Sequence, residues 1–181
     1  YGLYVLTAQE GKQDNGCIIN TVMQVTSDPC QIAIAVNKRN YTNQMIQHTK
    51  KFNISVLSEN AKFDTFKHFG FQSGRDVDKF AEMKLTELPS KNIKAPGIAE
   101  SPVNIECRVK KIMPLGSHDM FLAEVVGVTV DDKYMDEKGK FNLNRSGLIA
   151  YSHGEYFELG KKIGKFGYSV QKPGRKKKKR G

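Results

Sequence analysis

The sequence predicts a mainly β domain with short helices, closed or partly closed into a barrel. Seven or so short apolar stretches, rich in Val, Ile, Tyr and Phe, recur between turn residues. Only the segments near residues 42–50 and 63–69 repeat apolar side chains at helical spacing. The 181 residues, 39% hydrophobic and 27% charged, are enough for one domain with a sizeable core.

Residues 1–8 alternate and are rich in Tyr, Val and Leu. Gly11 and the Asp14-Asn15-Gly16 turn then predict a hairpin into a second strand over residues 17–26. Asp28 and Pro29 mark a bend, and residues 31–37, Q-I-A-I-A-V-N, make a third strand. Residues 37–41 are a polar, basic loop. Thr42 is the expected N-cap of a helix reaching about Lys50, with Met45, Ile46 and Thr49 inward. Residues 52–57 predict a fourth strand. Phe63, Phe66 and Phe69, at every third position, predict a short helix with an aromatic core face. Residues 70–79 read as a loop, and residues 89–102, with three Pro and one Gly, as an ordered connection within the domain.

Val103, Ile105, Cys107 and Val109 alternate with Asn104, Glu106, Arg108 and Lys110, which predicts one dry face and one wet face. Residues 120–130 are more continuously apolar and are expected to lie deeper. Between these strands, residues 115–119 bring His118 to a hairpin tip or its flank. Residues 148–151 and 156–159 are the last strands.

The formal net charge is +10, yet residues 160–181 hold ten Lys or Arg and no acid, so residues 1–160 balance at 19 of each sign. Residues 1–170 form the predicted domain. Residues 171–181 are expected to be a disordered basic tail, either a solubilising stub or an adhesive for nucleic acid or anionic membrane. No run approaches the roughly 20 apolar residues of a membrane-spanning helix, and the amino terminus lacks a secretory pattern. A cytoplasmic location is expected, with a short segment preceding Tyr1. Cys17, Cys30 and Cys107 lack the close pairing of metal ligands, so no metal is expected; each lies in or beside an apolar run and is expected to be a buried, reduced thiol.

No nucleotide-binding glycine loop, serine-hydrolase elbow or H-E-x-x-H motif is present. One candidate site is Asn37-Lys38-Arg39-Asn40-Tyr41-Thr42, where a strand end, two cations and a helix start can converge on one dianion. A solvated basic turn explains the same residues. Asn20, Thr21, Gln24 and Thr26 punctuate an otherwise apolar strand. They fit either the edge of a flat heteroaromatic ligand or the wet side of an amphipathic strand.

The chain resembles the flavin reductase-like family, through stretches that span most of residues 1–170. These are Tyr1-Gly2-Leu3-Tyr4-Val5, Gly16-Cys17-Ile18-Ile19-Asn20-Thr21, Gln24-Val25-Thr26-Ser27-Asp28-Pro29 and Asn37-Lys38-Arg39-Asn40-Tyr41-Thr42. They continue with Phe71-Gln72-Ser73-Gly74-Arg75-Asp76-Val77-Asp78-Lys79-Phe80, the His118 turn before Phe121-Leu122-Ala123-Glu124-Val125, and Gly154-Glu155-Tyr156-Phe157-Glu158-Leu159-Gly160. The resemblance implies an FMN-binding split β-barrel, usually a homodimer, in which NAD(P)H is the electron donor. Asn20, Thr21 and Gln24 would line the isoalloxazine edge. Lys38, Arg39, Asn40 and Thr42 would hold the phosphate, and Lys79 and Phe80 would approach the flavin or its phosphate. His118 would lie near the nicotinamide and flavin faces, where an imidazole can orient substrate or exchange a proton; His153 is a weaker candidate.

Within the family the chain is similar to the flavin part of high-molecular-weight rubredoxins, which implies a rubredoxin or a diiron flavoprotein as redox partner. Their iron domain is expected to be absent here, since residues 174–180 are basic and hold no cysteine. An alternative is an FMN electron-transfer protein reduced by a partner protein. A nucleic-acid-binding barrel using the tail is disfavoured by the neutral folded part, which lacks a basic aromatic platform.

Overall fold

A computed structural model describes residues 1–168; the basic tail, residues 171–181, and the last two residues of the predicted domain lie outside the described residues. The elements are β1 (Tyr4–Glu10), β2 (Gln13–Ile19), β3 (Val22–Ser27), β4 (Cys30–Asn37), α1 (Tyr41–Thr49), β5 (Lys51–Val56), α2 (Phe63–Phe71), α3 (Lys79–Met83), β6 (Glu87–Leu88), β7 (Gly97–Ile98), β8 (Val103–Leu115), β9 (His118–Val130), β10 (Ile149–Ser152) and β11 (Glu155–Glu158). Among the described residues no helix is long and apolar enough to cross a membrane.

Seven strands form one antiparallel sheet in the order β2-β1-β5-β8-β9-β4-β3. Its two edge strands are consecutive in the chain, joined by Asn20 and Thr21 alone. Ile19 and Val22 are three Cα steps apart, at most about 11 Å, so the sheet must curl until these ends of its edge strands come close. No ladder joins β2 to β3 among the described residues, and the barrel is therefore split. α1 packs on β1 and β2, with Met45 and Ile46 fully buried in the barrel core beside Leu6, Ile34, Phe52 and Phe121. Alternation sends Leu3 and Val5 to the opposite face of β1, where they meet Phe69 and Phe80 in a second cluster under α2 and α3. The Phe69 and Phe80 rings pack edge to face, 5.6 Å apart.

Several expectations need correcting. The first hairpin turns at Gly11, whose φ is +62°, not at Asp14-Asn15-Gly16. Those three residues continue β2, where tertiary contacts override turn propensity. A side chain at Gly16 would collide with Phe69 and the Leu6 carbonyl, so only glycine lets α2 approach β2. Residues 17–26 are parts of two strands at opposite edges of the sheet. The supposed wet face of β8 is buried at Asn104 and Glu106. Asn104 accepts from Ser55 Oγ at 2.6 Å and Ile98 N at 2.9 Å, while the Glu106 carboxylate accepts from Lys91 N at 3.0 Å and Asn92 N at 2.7 Å. Burial is thus made tolerable by complete hydrogen bonding. β9 buries only Asp119, Phe121 and Ala123, and Val128 stands 56% exposed. The expected loop at residues 70–79 begins in helix α2 and ends in α3. Phe69 is core and Phe66 is partly buried against the second cluster. All three cysteines are free, but Cys30 is exposed at the β3–β4 turn.

Candidate functional site

A cavity of about 190 Å³ lies where β2, the β4–α1 turn, the end of α2 and the start of α3 converge. Arg39, Asn40, Tyr41 and Thr42 line one side, Asn15 and Cys17 the floor, and Phe69 to Gly74 with Lys79 the other. Asn40 caps α1 by position only, with no side-chain hydrogen bond, and the first turn holds no acid. The leading N–H groups of α1 and the positive end of its dipole are therefore available to an anion.

Lys79 is the principal charge here. It is 4% exposed, its Nζ donates to the Gly16 carbonyl at 2.7 Å, and it lies 5.7 Å from the Phe69 ring centre. Among the described residues it forms no ion pair. Burial lowers its pKa, opposed by Cys17. Burial in turn pushes the Cys17 thiol up to about 11, against lowering by Thr42, Lys79 and Asn40. The thiol is then neutral at ordinary pH and does not compensate the lysine. A buried ammonium with only a neutral acceptor is costly unless an anion joins it.

The far wall is tied to the helix start. Gln13 Nε2 donates to the Gly74 carbonyl at 3.2 Å, the Tyr41 hydroxyl donates to Gln13 Oε1 at 3.1 Å, and Arg75 donates to Gln44 Oε1 at 2.6 Å while its guanidinium lies 4.7 Å from the Tyr41 ring centre. Asn15 Nδ2 donates to Thr42 Oγ1 at 3.0 Å. The Asn15 and Gln72 side-chain carbonyl oxygens are buried without a donor, so the lining offers acceptors for hydroxyl groups beside its cationic end.

The structure brings Arg39, Asn40, Thr42 and Lys79 together at one cavity. Thr42 is not the N-cap; it lies within the first turn and is buried. Lys38 leaves the group: its Nζ is 3.8 Å from the buried Asp119 carboxylate, which also accepts from Asn43 at 3.1 Å and Gln47 at 3.0 Å. Phe80 is core and does not line the cavity. Asn20 and Thr21 form the link between the sheet edges, with the Thr21 hydroxyl donating to Asn20 Oδ1 at 3.1 Å. Gln24 is exposed on β3 and donates to the Thr26 carbonyl at 3.2 Å.

His118 opens β9 directly opposite Asn37, and its Nδ1 is 2.8 Å from Ser117 Oγ. The ladder therefore sets His118, the β4–α1 turn and, through Val22 opposite Ile34, the Asn20–Thr21 link at one end of the sheet. His153 is a positive-φ turn residue between β10 and β11. Sequence reasoning missed Asn15 and Gln72 as lining. Asn15 was hidden because D-N-G reads as a turn, although its position on β2 follows from the alternation that buries Cys17.

A family model for the flavin reductase-like domain matches residues 1–160. High molecular weight rubredoxin of Moorella thermoacetica is 38% identical over 133 residues, 72% of this chain and 56% of that protein. This chain thus matches little more than half the length of that relative. Ferric-chelate reductase (NAD(P)H) of Archaeoglobus fulgidus is 31% identical over 160 residues, 87% of this chain and 93% of that protein. Flavoredoxin of Desulfovibrio vulgaris superposes with a TM-score of 0.86 at 25% identity, covering 94% of this chain and 92% of its own.

Proposed function

This chain belongs to the flavin reductase-like domain family, and on that footing we propose that it is an FMN-binding oxidoreductase passing electrons from NAD(P)H to a protein or small-molecule acceptor. The observation that carries the reading is the buried Lys79, uncompensated in a cavity that also receives the uncapped start of α1. Such a cavity suits the phosphate of FMN. Arg39, the Asn40–Thr42 turn and Lys79 hold that dianion, and the unpaired Asn15 and Gln72 oxygens suit the hydroxyls of the ribityl chain.

FMN, when bound, supplies the hydride and electron chemistry. The protein binds, orients and shields. Asn20, Thr21 and Gln24 offer amide and hydroxyl groups to the ring edge, while Lys38 and Asp119 fix the β4–α1 turn against β9. His118 orients the dihydronicotinamide and exchanges a proton through Nε2, since Nδ1 is engaged by Ser117. The exposed β3 leaves the ring side open, which fits a homodimer in which a second copy covers it. The three free cysteines fit a cytoplasmic setting. A rubredoxin or a diiron flavoprotein is the proposed class of acceptor, by likeness to high molecular weight rubredoxin.

The test is anaerobic mixing of the FMN-loaded protein with NADH and with NADPH. Bleaching of the yellow absorbance within seconds by either nucleotide is expected. No bleaching, with full reduction by dithionite, would overturn NAD(P)H as donor and assign the chain to electron transfer from a partner protein.

A further inference from the structure

A second cavity, of about 110 Å³, lies between the end of β5, the start of α2, the end of α3 and residues 98–101. Leu57, Met83 and Ile98, all buried, give it an apolar lining. Ser58, Thr65 and Ser101 line it too, at 4%, 3% and 6% exposure. Their main chains are engaged: Ala61 N donates to the Ser58 carbonyl at 2.9 Å, Thr65 N to the Lys62 carbonyl at 2.9 Å and Ser101 N to the Ile98 carbonyl at 3.1 Å. Their hydroxyls form no hydrogen bond among the described residues. Thr65 differs in this from Thr49 of α1, whose hydroxyl donates to the Met45 carbonyl one turn back at 2.8 Å. Buried hydroxyls left open cost on the order of 1–3 kcal/mol each unless a ligand or water meets them.

The charge around this cavity is positive. Lys62 and Lys84 are part of its lining, both exposed, and neither forms an ion pair among the described residues. Lys62 is also the N-cap of α2 and makes no side-chain cap hydrogen bond, so leading N–H groups of this nine-residue helix and the positive end of its dipole are open to an anion. Glu100 is the one acid in the lining, and its carboxylate accepts from Thr86 N at 3.0 Å and 3.3 Å. Asp64, in the first turn of α2, is exposed and lies outside the lining. The cavity is distinct from the one at Lys79, because α2 begins here and ends there, about 13 Å away along its axis. We infer that it binds a phosphate-sized oxyanion, met by the hydroxyls of Ser58, Thr65 and Ser101 and the first turn of α2, with Lys62 and Lys84 at its mouth. Room for three or four waters admits such an anion and nothing much larger. The inference stands on these residues alone and does not depend on the reductase reading.

The experiment titrates inorganic phosphate, and separately glycerol 3-phosphate, into the full chain saturated with FMN, followed by calorimetry. Binding of one phosphate per chain is expected. Its affinity should fall about tenfold in Thr65→Val, which removes the hydroxyl and keeps the branched shape, and less in Lys84→Gln, at an exposed position. Lys67→Gln, exposed on α2 and outside the lining, should leave binding unchanged. Tighter binding of glycerol 3-phosphate than of phosphate would support the site with a phosphorylated metabolite as the source; equal or weaker binding would support it with free phosphate. No binding of either anion would overturn the inference and leave the cavity to water. Binding that is unmoved by Thr65→Val and Lys84→Gln, or that falls as far in Lys67→Gln, would overturn it as well, by placing the anion elsewhere on the surface. Should Thr65→Val not fold, Ser101→Ala with Lys84→Gln takes its place. A chain that takes up no FMN would refute the reductase reading and leave this test intact, since these variants alter the second cavity and Lys79→Met the first.

Discussion

The cavity at the head of α1 and the strand β3 are the two halves of the candidate site, and they are built in opposite ways. The cavity is enclosed by four elements, floored by buried Asn15 and Cys17, and holds a lysine 4% exposed. β3 is an edge strand on which every residue but Val22 is exposed, including Met23 at 59%. On the proposed reading the anion end is preorganised within one chain, whereas the ring end is a shelf that a second surface would complete. Preorganised groups lose little entropy on binding, so most of the affinity is expected from the cavity.

Replacing Lys79 by Met tests this difference most severely. FMN affinity should fall by about 1.5–3 kcal/mol, the range for a hydrogen bond to a charged group, while riboflavin, which lacks the phosphate, binds unchanged in a fluorescence titration. The same change should raise the urea midpoint of the unliganded protein, because it removes a buried charge. The pH dependence has a matching sign. Burial lowers the Lys79 pKa, so the unfolded chain binds that proton more tightly and the unliganded fold gains stability as pH rises through the depressed value. FMN affinity runs the other way, falling as Lys79 loses its proton.

His118→Ala should leave the FMN dissociation constant unchanged and slow hydride transfer from NAD(P)H by about tenfold or more in stopped flow. An unchanged reductive rate would remove the proposed role. Asp14 lies next to the cavity floor, on the other face of β2. Its pKa is pushed up to about 6, first by burial and then by Glu87. A raised carboxyl pKa makes the fold lose stability as pH rises from the ordinary carboxylate range through about 6. Asp14→Asn should therefore stabilise the protein at neutral pH by on the order of 1 kcal/mol after discounting for solvent screening, with the gain vanishing in acid. Gln24→Ala, on the open half, should alter FMN affinity less than about twofold, because an exposed hydrogen bond contributes little.

The strands around the core were legible because their apolar spacing is local: β4, β5 and the first part of β8 appear where their apolar residues place them, and β9 appears as a strand although it is less buried than its continuous apolar run suggests. The helical repeat of Met45 and Ile46 likewise gave the inward face of α1. What was not legible depends on partners distant in the chain. The wet face assigned to Asn104 and Glu106 is buried because residues 90–98 fold over it with matching hydrogen bonds. Lys38 and Arg39, adjacent and equally basic in sequence, separate because the first meets Asp119, whose position is set by the β4–β9 register. For Lys79, the resemblance supplied a role near the flavin or its phosphate. Its burial depends on Gly16, which lies 63 positions away and allows close approach.

The most direct test of the account is a paired titration of the unliganded wild-type protein with FMN and with riboflavin at low salt. The two ligands share the ring and the ribityl chain and differ in the phosphate alone. A cavity built around Lys79 and the start of α1 predicts that FMN binds about a hundredfold more tightly, equivalent to roughly 2.7 kcal/mol. Equal dissociation constants would contradict it, since the buried lysine would then have no anion to meet.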